Sequence, residues 1–168
     1  MNVAAEELRL YLKDEQDTEQ LGRILAGLVN ESGQGLVVFL EGDLGMGKTT
    51  LSRGIMRGLG HEGAVKSPTY TIVEPYEHLD PPAYHFDLYR LGDPEELEYM
   101  GIRDYFQARN LCIIEWPGRG LGILPEPDLQ VSLGKNGDGR SARVSASTNR
   151  GSSLLARISE QLPPGQGY

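Results

Sequence analysis

Cysteine is nearly absent. Cys112 stands alone inside the apolar run Leu111-Cys112-Ile113-Ile114, so no intramolecular disulfide can form and a buried, reduced thiol is expected. Basic charge is also scarce: 16 Lys and Arg stand against 24 Asp and Glu, a formal net charge of −8. That balance argues against a broad nucleic-acid-binding face, which needs clustered cations to displace counterions from phosphates. Arg53 and Arg57, spaced four apart, read as the solvated side of one helix. No N-terminal apolar stretch approaches signal-peptide or transmembrane length. Met1–Leu12 contains two Glu, which suits neither a secretory nor an Arg-rich transit segment. The expectation is a soluble cytoplasmic protein of bacterial type, with 1–168 as a single domain.

The chain does have a glycine loop in a specific setting. Gly42-Asp43-Leu44-Gly45-Met46-Gly47-Lys48-Thr49 matches the phosphate-binding pattern G-x-x-x-x-G-K-[ST] residue for residue. Leu36-Val37-Val38-Phe39-Leu40 precedes it, an unbroken aliphatic run of the kind that marks a parallel strand buried on both faces. Leu51, Ile55 and Leu59 follow at helical spacing, on a helix that should span 48–59 and stop at Gly60. The glycines let backbone N–H groups turn toward phosphate oxygens at a helix N-terminus. Lys48 can then reach the β- and γ-phosphates, and the Thr49 hydroxyl is placed to ligate Mg²⁺.

Around this unit the pattern predicts an α/β protein, a three-layer P-loop NTPase-like fold with a mixed, mainly parallel central sheet and a C-terminal antiparallel hairpin. Residues 8–12 suit a first strand. A helix over 17–31 follows, with Asp17 and Gln20 as its capping box. The stretch 70–76 is rich in β-formers, but Pro75 consigns it to an edge. In 84–89, Tyr84, Phe86 and Leu88 share one face, while His85, Asp87 and Tyr89 share the other. Asp93-Pro94-Glu95-Glu96 starts a helix that Gly101 ends. Leu111–Ile114 reads as a second buried strand, closed by Glu115. Alternation over 129–133 and 142–146 about Asn136-Gly137 predicts the hairpin, and a last helix runs to Pro163-Pro164.

A phosphate loop needs a second acidic group on a neighbouring strand, because Mg²⁺ takes hard oxygen ligands. Glu115, after its aliphatic strand, is the candidate for the metal, directly or through a coordinated water. Asp87 is the candidate for orienting the attacking water. A structural carboxylate, paired with Arg90 or capping the next turn, is the other reading of Asp87. His85 reads as a structural histidine rather than a catalytic one. Ser67-Pro68-Thr69-Tyr70-Thr71 lies where a segment can fold over the γ-phosphate, with the Thr69 hydroxyl among its sensors, or simply leads into the edge strand. Trp116 stacks on a base or partner, or packs.

Taken together, Gly42–Thr50, Lys66–Thr71, His85-Phe86-Asp87-Leu88-Tyr89-Arg90, Asp93–Leu97 and Ile114-Glu115-Trp116 closely resemble the bacterial TsaE family, formerly called YjeE, over about residues 14–133. The resemblance implies an ATPase supporting threonylcarbamoyl modification of adenosine 37 in tRNA, with ATP and Mg²⁺ as cofactors. Its implied partners are TsaD and TsaB, which act on the tRNA. It further implies Gly42, Asp43, Leu44, Gly45, Met46, Gly47, Lys48, Thr49 and Thr50 as the phosphate loop, Thr49 and Glu115 as Mg²⁺ positions, and Asp87 as the catalytic acid. Asp17 and Thr18 would lie toward the adenine. Met46 replaces a more usual small residue, and 134–142 is unusually rich in glycine and charge.

Two other nucleotide functions compete. A small P-loop kinase needs an arginine-rich lid over the transferring phosphoryl group, but the arginines after the loop are scattered at 90, 103, 109 and 119. A GTPase-like switch is echoed by Glu115-Trp116-Pro117-Gly118, yet no guanine-reading N-K-x-D follows.

Overall fold

The two aliphatic runs form adjacent central strands in a computed structural model that describes residues 7–162. In chain order the elements are β1 (Glu7–Leu12), α1 (Glu15–Ser32), β2 (Leu36–Glu41), α2 (Lys48–Gly58), β3 (Val73–Tyr76), β4 (Ala83–Asp87), α3 (Glu95–Tyr99), β5 (Leu111–Glu115), β6 (Leu129–Asn136), β7 (Gly139–Ala146) and α4 (Asn149–Gln161). They make one seven-stranded sheet in the order β1-β7-β6-β2-β5-β4-β3. The centre, β6-β2-β5-β4, is parallel. Antiparallel pairs flank it, β3 on one side and the β6–β7–β1 meander on the other.

Each central strand sends alternate residues to opposite faces, which is why both runs are continuously apolar. Leu36, Val38 and Leu40 of β2, with Leu111 and Ile113 of β5, pack under α1, α2 and α4. Phe39, Cys112 and Ile114 point the other way, to a smaller cluster with Phe86, Leu88, Leu97 and Ile102. The expected three-layer α/β architecture with a C-terminal hairpin is therefore present. Helix α1 starts earlier than the pattern suggested. Its N-cap is Asp14, whose carboxylate accepts the Asp17 N–H at 3.0 Å, while Asp17 reciprocates by accepting the Lys13 N–H at 3.0 Å. The reciprocal pair Asp14–Asp17, not Asp17–Gln20, is thus the capping pair. The edge strand is also shorter than 70–76, because Ile72 adopts φ 69° and breaks the extension. Pro163 and Pro164, the expected stop of α4, lie outside the described residues.

Helices α1 and α2 approach at backbone contact. A Cβ on Gly54 would fall 2.3 Å from the Glu19 carbonyl oxygen, and one on Gly22 would fall 2.5 Å from that of Leu51. Glycine inside a helix costs roughly 1 kcal/mol relative to alanine, so Gly54→Ala should stabilise the protein if helix propensity decided the sign. We expect the opposite, a loss of about 1–3 kcal/mol from overpacking against backbone that cannot yield, seen as a lower urea midpoint.

Cys112 is free and buried, and its thiol is pushed up to about 12 by desolvation. The unfolded thiol ionises near 9, before the folded one, so the contribution of this group to stability is constant below that pH. It then falls by about 1.4 kcal/mol per pH unit as far as the folded value. Modification of Cys112 by an aromatic disulfide reagent at pH 8 should accordingly proceed only at the rate of opening.

Candidate functional site

Three parallel strands end level with one another. Leu40 of β2 and Asp87 of β4 both pair with Glu115 of β5, so the glycine loop after β2 and the last residues of β4 and β5 meet at one edge of the sheet. Ligands of open α/β sheets bind at that carboxyl edge. Gly47 caps α2 with φ 108°, a conformation costly for any residue with a Cβ, and no side chain caps this helix end. The Leu51 N–H donates to the Gly47 carbonyl at 2.9 Å, closing the first helical turn. The amides before it carry the partial positive charge of the helix end and suit an anion. Gly42, φ 147°, is required for another reason: a Cβ there would sit 2.6 Å from the Leu133 carbonyl oxygen of β6.

Lys48 is only 5 % exposed. Its ammonium donates to the Gly42 carbonyl at 2.5 Å and lies 4.0 Å from the centre of the Trp116 ring. Burial lowers its pKa, and the charges of Glu115, Asp87 and Asp43 act against that fall. Lys48 is thus a desolvated cation held by weak partners, suited to accept a polyanion. Trp116 holds the αL backbone, φ 56°, a strained state for a non-glycine residue, and Tyr89, just past β4, packs on it with ring centres 5.0 Å apart.

Asp87 and Glu115 are 4 % and 3 % exposed. Asp87 Oδ1 accepts the Tyr89 N–H at 2.9 Å, and Oδ2 accepts the Thr69 hydroxyl at 3.1 Å. Thr69 in turn is 2.8 Å from the Ser67 hydroxyl. The 67–71 segment is thereby tied directly to Asp87. Arg90 does not pair with Asp87. Its guanidinium stacks on Tyr70, 4.2 Å from the ring centre. Glu115 Oε2 receives His85 Nε2 at 2.6 Å.

These groups surround a cleft of about 550 Å³, within the usual range for small-molecule sites. Of the residues singled out by sequence, Thr18, Leu44, Gly45, Met46, Gly47, Lys48, Thr49, Thr50, Thr69, Asp87 and Glu115 line it. Asp17, Gly42 and Asp43 do not. Asp17 is turned to the α1 cap, and Gly42 supports the loop from behind. Met46 packs partly against the main core, so its bulk does not fill the loop. Leu12, Lys13, Asp14 and Glu15, and the hairpin residues Asp138, Gly139 and Arg140, complete the wall. Arg140 reaches 3.4 Å from the Gly45 carbonyl oxygen. Nothing in the local pattern points to these beyond the unusual composition of 134–142. The donor set fits a magnesium nucleotide: open amides and Lys48 for phosphates, with the Thr49 hydroxyl and the Glu115 carboxylate as hard oxygens for an ion that retains waters.

Known proteins resemble this chain over most of its length. The family model described as "Threonylcarbamoyl adenosine biosynthesis protein TsaE" matches residues 12–143. A Haemophilus influenzae protein named tRNA threonylcarbamoyladenosine biosynthesis protein TsaE is 47% identical over 156 residues, 92% of this chain and 99% of that one. The Bacillus subtilis protein of the same name is 36% identical over 145 residues, 86% of this chain and 89% of its own. In structure, the crystal structure of Bacillus subtilis YdiB superposes with a TM-score of 0.80 at 29% identity, covering 95% of this chain and 98% of that one. With the phosphate loop, the acidic strand ends and the seven-stranded order all in place, the match places the chain in the TsaE family.

Proposed function

We propose that this protein binds and hydrolyses Mg–ATP as an accessory subunit of tRNA N6-threonylcarbamoyladenosine formation at position 37, acting on the TsaD–TsaB complex in the cytoplasm. The observation that carries the nucleotide chemistry is the level ending of β2, β4 and β5, which sets Lys48, Asp87 and Glu115 around one cleft. The pathway is supported by the family and by the names of the relatives.

In this reading the loop amides and Lys48 grip the phosphates, the ammonium exchanging the Gly42 carbonyl for phosphate oxygens. Thr49 and Glu115 hold the ion, which when bound neutralises charge developing on the phosphates. Asp87 orients the attacking water, and Thr69 carries the state of the 67–71 segment to it. Thr18 and the start of α1 line the side of the cleft toward the base. The acidic net charge suits work through protein partners rather than a direct grip on tRNA.

Phosphate release from labelled ATP, measured with and without added TsaD–TsaB, tests this directly. Slow release by the chain alone and a clear rise with the complex are expected. Label transferred to a small acceptor would make the protein a kinase, and equal turnover of GTP would favour a GTPase switch. Release indifferent to the complex would overturn the accessory role.

A further inference from the structure

Beneath the cleft, His85 is fully buried, 0 % exposed. It lies two residues before Asp87 on β4, on the same face of the sheet, with Ile113 of β5 as its register partner. Its Nε2 is 2.6 Å from Glu115 Oε2 and 3.4 Å from the Ser52 hydroxyl. Ser52 already donates its hydrogen to the Lys48 carbonyl at 3.0 Å, and a carboxylate only accepts, so the hydrogen between His85 and Glu115 belongs to Nε2. The other ring nitrogen, Nδ1, is buried and has no partner among the described residues. An apolar ring here would avoid that unmade bond. Packing alone therefore does not account for an imidazole at this position, whereas its contact with Glu115 does.

We propose that His85 is a positioning residue for Glu115: it fixes Oε2 from below, so that the carboxylate is held in one orientation with its other oxygen left for the cation. Ser52 lies beside this contact: its own hydrogen goes to the Lys48 carbonyl in the first turn of α2, and its oxygen, 3.4 Å from Nε2, takes at most a minor share of the hydrogen that Nε2 gives to Glu115. The buried bridge is therefore the single bond from His85 to Glu115. The inference rests on the reading of Glu115 as a holder of the cation. Groups that orient metal-binding side chains are known to govern affinity as well as rate.

The test uses Mn²⁺ as the probe ion, its free concentration read by electron paramagnetic resonance in the presence of ADP, and calorimetric ADP binding in EDTA. His85→Leu should weaken Mn²⁺ binding to the ADP complex by about tenfold or more, while leaving ADP affinity in EDTA unchanged. His85→Gln, whose amide N–H reaches the position of Nε2, should restore Mn²⁺ affinity. Glu115→Gln separates the two readings. If it leaves Mn²⁺ affinity intact, the assignment of Glu115 itself fails. If it weakens Mn²⁺ and His85→Leu does not, only the role of His85 is overturned. Nitrogen-15 spectra of histidine-labelled wild-type protein hold the proposal to account even if His85→Leu does not fold. A buried histidine carrying its hydrogen on Nε2, with a resonance displaced in Glu115→Gln, is expected. The Nδ1–H tautomer would refute the bridge.

Discussion

Replacing Lys48 by alanine is expected to lower ATP turnover by a hundredfold or more and to reduce ATP binding to the limit of calorimetric detection. Asp87 and Glu115 are 4 % and 3 % exposed and line the cleft beside the loop, so a triphosphate arriving there meets two desolvated carboxylates. Lys48 is the cation whose charge is felt by both, and by Asp43. A charge-assisted hydrogen bond contributes about 1.5–3 kcal/mol, and relief of repulsion adds to it, which together reach two decades in an equilibrium or rate. Lys48→Arg should not rescue. The pocket between the Gly42 carbonyl and the Trp116 ring is filled by a single ammonium, and a planar guanidinium needs a wider one. ATP binding by Lys48→Ala at wild-type affinity would remove Lys48 from the phosphate site.

Much of this arrangement was legible in the residues, and the parts that were not share a physical cause. β2 and β5 could be read because a strand covered on both faces must be apolar throughout. The position of Glu115 beside the glycine loop follows from its place at the end of such a run. The start of α1 is not fixed by pattern because both Asp14 and Asp17 satisfy the chemistry of a cap, and only the reciprocal bond at Lys13 decides between them. Of Asp17 and Thr18, the family resemblance implies both near the base, yet adjacent helical residues point about 100° apart, and only Thr18 of the two lines the cleft. The alternation of β4 put His85 on the face of Asp87. Its bond to Glu115, 30 residues further on, depends on the register of β4 against β5, which no local pattern encodes. The same holds for Gly22 and Gly54, whose necessity appears only when α1 and α2 are seen in contact.

Asp87→Asn is the variant that separates binding from chemistry. Two structural roles compete for this carboxylate. Its Oδ1 caps the turn through the Tyr89 N–H at 2.9 Å, and its Oδ2 takes the Thr69 hydroxyl at 3.1 Å. Asparagine preserves the first bond, because its carbonyl oxygen still accepts, and it is nearly the same size. It keeps the second only in reverse, its NH₂ donating to the Thr69 oxygen, and it can no longer draw a proton from a water. Nucleotide binding should therefore stay close to wild type, since the loop amides, Lys48 and Thr49 are untouched, while hydrolysis falls by about 10²–10⁴-fold, the usual contribution of a positioned base. Calorimetry with ADP and single-turnover phosphate release check the two halves separately. If Asp87→Asn hydrolyses ATP at the wild-type rate, Asp87 is a turn cap alone. Weakened binding with normal hydrolysis of the bound fraction would instead assign it to holding the 67–71 segment. The expected split, intact affinity with lost turnover, follows if the carboxylate acts on the water, because asparagine keeps the cap at Tyr89 and, in reverse, the contact to Thr69.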